Sequence, residues 1–299
     1  MTMLSRILNS LKDSWRDGSR VERVAFVVGA VLFVSGLTHV VVLLATDGSW
    51  TGPTSLRKAA TFGLSFGLTL ATVAWISHLV PLTGRSRDVL LGAFTAVSVV
   101  ETVLVSMQAW RGVPSHFNFE TGFDTAVSMT LAAGGFVIIA TIIGMTLAAF
   151  RAGGRQTPAM RLALRFGFAT LLVALAVGAA MIATGSVAAR GPNPSIAYET
   201  AGFLKPAHAV TMHAILVIPA LAWLLTFTRW GENQQTNIVR LGIVGYTTLA
   251  VVIIAESVTH TSPLAAPPLA MAVSGLGLAV LAVAGGLGVY GILSRPTPR

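Results

Sequence analysis

Long apolar blocks alternate with short polar segments along the whole chain. Each block is close to the ~20 residues that a helix needs to cross a bilayer. The pattern therefore predicts an all-α integral membrane protein with eight transmembrane helices. The predicted spans are 24–46, 59–80, 89–110, 124–150, 162–188, 204–228, 239–259 and 268–293.

A ninth, shorter pattern precedes the first span. Apolar residues recur there at helical spacing, and basic residues fill most of the remaining positions. This pattern predicts an amphipathic helix within 1–23 that lies on the cytoplasmic membrane surface and anchors the chain. The apolar positions are Leu4, Ile7, Leu8, Leu11 and Trp15, and the basic ones are Arg6, Lys12, Arg16 and Arg20.

Composition and charge agree with a membrane location. Charged residues make up 10% of the 299, against ~25% in soluble domains, and the mean hydropathy is +0.77. Of the 20 Lys and Arg residues, 15 fall on one side of the predicted spans and 5 on the other. By the positive-inside rule, both termini are cytoplasmic. The net charge of +9 is thus a topology signal, so the expected partner is the lipid bilayer and not nucleic acid.

Two stretches of the chain, 56–76 and 203–225, share a layout. Each follows a long span and a polar loop, begins with a lysine and ends near an Ala-Trp pair, and the next span carries a glutamate. This suggests two four-helix halves, 24–156 and 157–299, related as parallel repeats within one membrane domain. The matching residues are Lys58 with Lys205, Trp75 with Trp223, and Glu101 with Glu256.

Ionisable residues inside spans are costly and indicate function by default. His39, Glu101 and His213 lie at comparable depth, so we expect them to form one tier beneath the outer surface. An unpaired carboxylate is expensive there, so Glu101 should be protonated or paired. A second tier nearer the surface contains Lys205, His208, Gln108, Glu256 and His260.

Spacing separates the candidate metal ligands. Glu256 and His260 are four residues apart, so on a helix they share a face and are able to bind one metal ion or each other. His208 and His213 are five apart, about 140° around a helix, which weakens a two-histidine metal site. The absence of cysteine excludes thiolate metal sites, disulfides and thiol nucleophiles.

Each of these residues also has a structural interpretation. Lys205 and Arg57 are able to reach outer headgroups with their long side chains, and His260 is close enough to the interface to be solvated. His39 and His213 are able to hydrogen-bond neighbouring polar groups. The loop 111–124 is either a lid over an outer pocket or a polar connector.

Three motifs resemble those of a known group of proteins. RKAATFGLSFGLTLATVAW, QAWRGVPSHFNFETGFD and HAVTMHAILVIPALAWLL are similar to stretches of uncharacterised bacterial integral membrane proteins. Those proteins have an SHFN-like outer loop, a phenylalanine-aspartate pair and a histidine-containing span. The resemblance implies a bacterial inner-membrane location and no particular activity.

Four functions remain open from the sequence. The first is a haem- or metal-binding redox protein, in which His39 and His213 are axial ligands of a b-type haem. Its propionates would then meet basic residues near the outer surface. The candidates for those contacts are Arg57, Arg111, Arg190 and Lys205.

The second function is a proton-coupled small-molecule transporter that uses Glu101 and Glu256. The third is an intramembrane hydrolase that depends on a transition metal, with Glu101 as general base. The fourth is a sensor that binds a small-molecule ligand without chemistry. The metal ligands of the third function would be His208, His213, Glu256 and His260.

Overall fold

The computed structural model describes residues 3–151, 156–198 and 202–294, and the described part contains α-helices, short 3-10 turns and no strand. Arg155, Arg295 and Arg299, which the topology count used, lie outside these ranges. The helices are α1 (Met3–Asp17), α2 (Arg20–Ala45), α3 (Leu56–Ser77), α4 (Gly84–Trp110), α5 (Gly122–Phe150), α6 (Pro158–Ala188), α7 (Lys205–Leu225), α8 (Glu232–Val258) and α9 (Pro268–Leu293).

Eight helices, α2 to α9, are long and apolar enough to cross a membrane, which confirms the predicted all-helical fold with eight spans. The largest difference in a helix start is at α8, which begins at Glu232 and not at 239. The segment ENQQTN is polar yet helical, because a helix continues beyond the apolar block that marks its membrane-crossing part. The class that the fold defines is a multi-pass helical membrane protein.

Five of the long helices have a serine or threonine as their N-cap residue. The side-chain oxygens of Ser19, Ser55, Thr83, Thr121 and Thr157 each accept a hydrogen bond from a backbone N–H in the first turn. These N–H groups have no partner within the helix, so a cap satisfies them where the chain leaves the apolar region.

Helices that are consecutive in sequence pack against each other, in two groups, α2–α5 and α6–α9. Both groups share four contacts: first helix with second, second with third, third with fourth, and first with third. The second group has a further contact, between α7 and α9. The groups meet where α5 contacts α6 and where α3 contacts α7. At the second contact, the rings of Trp75 and Trp223 pack edge to face with centroids 5.8 Å apart.

Glycines allow α2 and α3 to approach until their backbones touch. A Cβ on Gly63 would lie 2.6 Å from Gly36 Cα, and one on Gly29 would lie 2.9 Å from Gly67 O. Small residues at such crossings are typical of membrane helices, because van der Waals packing and not water exclusion drives their association.

The connections between the long helices define two faces of the bundle. The long-loop face carries 46–55, 111–121, 189–198, 202–204 and 259–267. The α1 face carries 78–83, 156–157 and 226–231 together with α1. The helix α1 is held there by a hydrogen bond of 3.2 Å from Trp223 Nε1 to Ser10 Oγ.

Candidate functional site

Glu101 is the deepest carboxyl group of the first helix group. It lies nine residues, or about 14 Å, before the end of α4 on the long-loop side, and it is 4% exposed. Its Oε1 packs directly over Gly134 of α5, where a Cβ would overlap it. Within the described part of the chain, no residue hydrogen-bonds the Glu101 carboxyl group. Glycine at 134 is therefore what leaves space for this side chain between α4 and α5.

Lys58, at the start of α3, connects Glu101 with the long-loop face. Its ammonium interacts electrostatically with the Glu101 carboxyl group, although the two form no ion pair within 4.0 Å. Lys58 Nζ lies 3.2 Å from His116 Nδ1, and Ser115 Oγ lies 3.0 Å from the same ring nitrogen. Burial, and then the charge of Lys58, hold the pKa of His116 well below its usual value. The imidazole is thus neutral at neutral pH and accepts a hydrogen bond from the ammonium.

The loop 111–121 that carries His116 is folded into the bundle. Ser115 and Asn118 are buried, and Ser128 Oγ of α5 accepts a bond of 3.2 Å from Asn118 N and donates one of 3.1 Å to Asn118 O. Phe117, which precedes Asn118 in the loop, has a φ of +59°, and its ring packs on Gly185 of α6. The loop therefore contacts both helix groups, and its role as a lid stays a prediction.

A polar cluster closes the two ends of this loop. The Asp124 carboxylate accepts hydrogen bonds from Gln108 Nε2 at 2.8 Å, Arg111 Nη1 at 2.6 Å and Thr121 Oγ1 at 2.6 Å. Arg111 also donates to Gln108 Oε1, and its guanidinium lies 4.8 Å from the centre of the Phe123 ring. The guanidinium that the sequence proposes for a cofactor is thus engaged in holding α4 to α5.

His39, in α2, faces α4. Its Nδ1 is 2.7 Å from Ser35 O, and its Nε2 accepts a hydrogen bond of 3.0 Å from Trp110 Nε1. The first contact places a proton on Nδ1 and the second needs a lone pair on Nε2, so the two together select the Nδ1-protonated tautomer. Both ring nitrogens are then engaged, and the ring has no free lone pair for an axial bond to haem.

The histidines of α7 point to different partners. His208 Nδ1 lies 2.7 Å from Ala174 O of α6, whereas His213 Nδ1 lies 2.6 Å from Ala209 O in its own helix. No contact between described residues joins His213 to His39 or Glu101. The expected tier of three is therefore not one cluster, although the Nε2 atoms of His208 and His213 remain without a protein partner in the ranges described.

The expectation that Glu256 and His260 share a helix face is wrong. Helix α8 ends at Val258, and His260 follows in a left-handed conformation with φ +57°. Its ring stacks on Phe203 with centroids 3.8 Å apart, while Glu256 is buried in the last turn of the helix. Among the residues that the structure describes, no group of three His, Asp or Glu side chains is placed to hold a metal ion.

Two further predicted cations lie on the long-loop face. Lys205 is the first residue of α7 and is exposed, and Arg57 Nε donates a hydrogen bond of 2.8 Å to Trp50 O. The charges of Arg57, Lys58 and Lys205 repel one another. The structure thus brings together the lysines that begin the two matching stretches. Arg190 is exposed in the loop after α6.

Several residues of this region were missed by reasoning from the sequence. Neither Trp110 nor Gly134 is among the candidate site residues that the sequence predicts. The pairing of Trp110 with His39 joins residues 71 positions apart, so no local pattern reveals it. A glycine in an apolar helix is a weak signal by itself, and only the facing glutamate gives Gly134 its meaning.

Comparison of the chain with models of protein families, with curated proteins and with solved structures gives no significant match.

Proposed function

We propose that the chain is a proton-coupled small-molecule transporter, with Glu101 as the group that binds and releases the proton. The observation that carries this proposal is the placement of Glu101, which is buried well inside a span against a glycine and lacks a hydrogen-bond partner in the described ranges. Carboxyl groups held in this way are typical of proton relays in membrane proteins.

A route from the long-loop face to Glu101 supports the same function. His116, Lys58 and Glu101 form a line of titratable groups from the buried loop into the bundle, linked by one hydrogen bond and one electrostatic interaction. A proton bound at Glu101 weakens its attraction for Lys58. Protonation of the carboxyl group therefore changes the loop contact that Lys58 makes, which couples proton binding to the lid.

The arrangement of the helices supports a transporter built from two repeats. The neighbour relations of α2–α5 recur in α6–α9, and the equivalent residues Trp75 and Trp223 contact each other between the groups. Two similar halves that rock against each other around a site between them are a common basis of alternating access.

The protein belongs, in this proposal, to the bacterial inner membrane with both termini in the cytoplasm. Support comes from the charge count, from the eight apolar helices and from the motifs that resemble bacterial membrane proteins. The long-loop face is then the outer face, and α1 lies at the cytoplasmic surface.

The test is proton flux in liposomes that contain the purified protein and a trapped pH-sensitive dye. Under an imposed pH gradient, pools of small solutes are added until one causes proton movement. Glu101→Gln should abolish this movement, whereas Glu232→Gln, at the exposed start of α8, should retain it. Glu256→Gln shows whether the second predicted glutamate takes part. Undiminished flux in Glu101→Gln would refute the assignment of the proton to this residue.

The redox hypothesis has less support from the geometry, because both nitrogens of His39 are engaged. It stays testable by the visible absorption spectrum of the purified protein, in which a haem with two histidine ligands gives an intense Soret band.

A further inference from the structure

A cavity of about 550 Å³ lies on the α1 face, between α1 and the ends of α3 and α7. This volume falls within the range of about 300–1,000 Å³ that is usual for small-molecule sites. Four of the residues around it project from one polar side of α1, and two follow the last residues of the membrane helices. These six are Arg6, Asn9, Asp13, Asp17, His78 and Phe227.

The orientation of α1 is the reverse of that expected for a helix on a soluble protein, which buries its apolar side. Here the polar side lines the cavity with its charged groups exposed, and Ser10 accepts the hydrogen bond from Trp223. The apolar side chains of Leu8, Leu11 and Trp15 are 46%, 47% and 45% exposed. An amphipathic helix with this arrangement lies at the membrane surface with its apolar side towards lipid.

The charged side chains of α1 around the cavity are exposed, and the carboxylate of Asp17 interacts electrostatically with His78. Within the described ranges, the Arg6 guanidinium and the carboxylates of Asp13 and Asp17 form no hydrogen bond between side chains and no ion pair. Two carboxylates disfavour a ligand that is only anionic, and the guanidinium disfavours one that is only cationic. The ligand that complements all three groups carries both a positive and a negative charge.

The depth of the cavity indicates where such a ligand comes from. His78 and Phe227 directly follow the apolar parts of α3 and α7, so the cavity is at the level of lipid headgroups. We propose that it binds the headgroup of a zwitterionic phospholipid with a primary ammonium, such as phosphatidylethanolamine. The phosphate lies towards Arg6 and the ammonium towards Asp13 and Asp17.

Hydrogen bonding makes the cavity prefer a primary ammonium to a quaternary one. A primary ammonium has three N–H donors, and the two carboxylates and the Asn9 amide oxygen are three acceptors for them. The quaternary ammonium of choline has no N–H donor. The phosphate suits Arg6 because a guanidinium binds phosphate through two parallel N–H bonds. This assignment does not depend on the transport function.

The experiment uses the full-length protein, delipidated in detergent, and follows its thermal melting as a short-chain lipid is added. Dioctanoyl phosphatidylethanolamine should raise the melting temperature in a saturable manner, and the choline lipid should need at least a tenfold higher concentration. Arg6→Gln and the double variant Asp13→Asn/Asp17→Asn should each weaken the response at least tenfold. Lys12→Gln, on the same helix but outside the cavity, should respond as the wild type does.

The alternatives give different results. Equal responses to the ethanolamine and choline lipids, or a stronger response to phosphatidylglycerol, would overturn the proposal. So would Arg6 and Asp13/Asp17 variants that behave as Lys12→Gln does. Soluble phosphoethanolamine that acts at the same concentration as the lipid would assign the cavity to a soluble zwitterion. If the double variant melts at a lower temperature without lipid, the single Asp17→Asn variant is titrated in its place, with the same expected direction.

Discussion

Replacing Gly134 by alanine tests the position of Glu101 without changing the carboxyl group itself. The added Cβ would overlap Glu101 Oε1 and lie 3.1 Å from Val97 Cγ2. The neighbouring Gly135 has no other side chain or backbone within 4 Å of its would-be Cβ. Gly134→Ala and Gly135→Ala therefore introduce the same methyl group on adjacent positions of α5, and differ in what that group meets.

The magnitude follows from the space that Glu101 must give up. An ordinary contact needs 3.4–4 Å, so the carboxyl group has to move by about 1 Å, the size of the overlap. Overpacking of this kind costs about 1–3 kcal/mol. Both variants gain about 1 kcal/mol from replacing a helical glycine by alanine, and the comparison removes this shared gain. We expect Gly134→Ala to be less stable than Gly135→Ala by about 1–3 kcal/mol.

Function should respond more strongly than stability. A shift of about 1 Å at a reacting group is able to cost about a hundredfold in rate, so we expect proton flux of Gly134→Ala to fall by at least tenfold. Gly135→Ala should keep the wild-type flux. The assays are thermal melting in detergent and the liposome dye measurement, on the same preparations.

Glu101→Asp combined with Gly134→Ala completes the test. Aspartate is one methylene shorter, so it restores the space that the alanine removes, and the double variant should recover part of the lost stability and flux. If Gly134→Ala and Gly135→Ala have the same melting temperature and the same proton flux, the packing of Glu101 on Gly134 plays no role in transport.

Two further predictions concern the lid and the helix crossing. Because the pKa of His116 is depressed in the folded state, the unfolded chain takes up the proton first as pH falls below about 6.5. Stability should thus be lost between pH 7 and 5 at up to about 1.4 kcal/mol per pH unit, and His116→Asn, which keeps an acceptor, should flatten this dependence in melting curves. At the crossing of α2 and α3, Gly63→Ala should cost about 1–3 kcal/mol in detergent melting, whereas Gly286→Ala, with open space around it, should be neutral or slightly stabilising.

The sequence was sufficient for the membrane fold because the relevant signals are local. Each span is a run of apolar residues, and caps such as Thr121 lie beside the helix that they begin. What the sequence could not predict at the site also has a physical cause. Whether Glu256 and His260 share a helix face depends on where α8 ends, and the apolar pattern does not mark a helix end to within two residues.

Contacts between distant segments were beyond the sequence for another reason. Depth along a span is readable from residue counts, but rotation about the helix axis is set by the neighbours. The sequence predicts similar depths for His39 and Glu101, yet His39 faces Trp110 at the end of α4 and Glu101 faces Gly134. The loop 111–121 contains enough polar residues to be solvated, and only its hydrogen bonds to Ser128 show that it is folded inward.

The contact of Trp75 with Trp223 has a mechanical consequence. It joins the two helix groups near the C-terminal ends of α3 and α7, at the α1 face. A tilt of one group against the other would therefore pivot at this contact, the fulcrum of the motion. The 22 residues of α3 span about 33 Å, and a tilt of about 10° at the fulcrum displaces the opposite end by about 6 Å. In the proposed transport cycle, such a tilt of one whole helix group against the other would leave the tryptophan rings almost in place and would move Gly185 of α6 away from Phe117 of the loop 111–121. The proposal thus needs only a small angular change to separate the loop 111–121 from the second helix group.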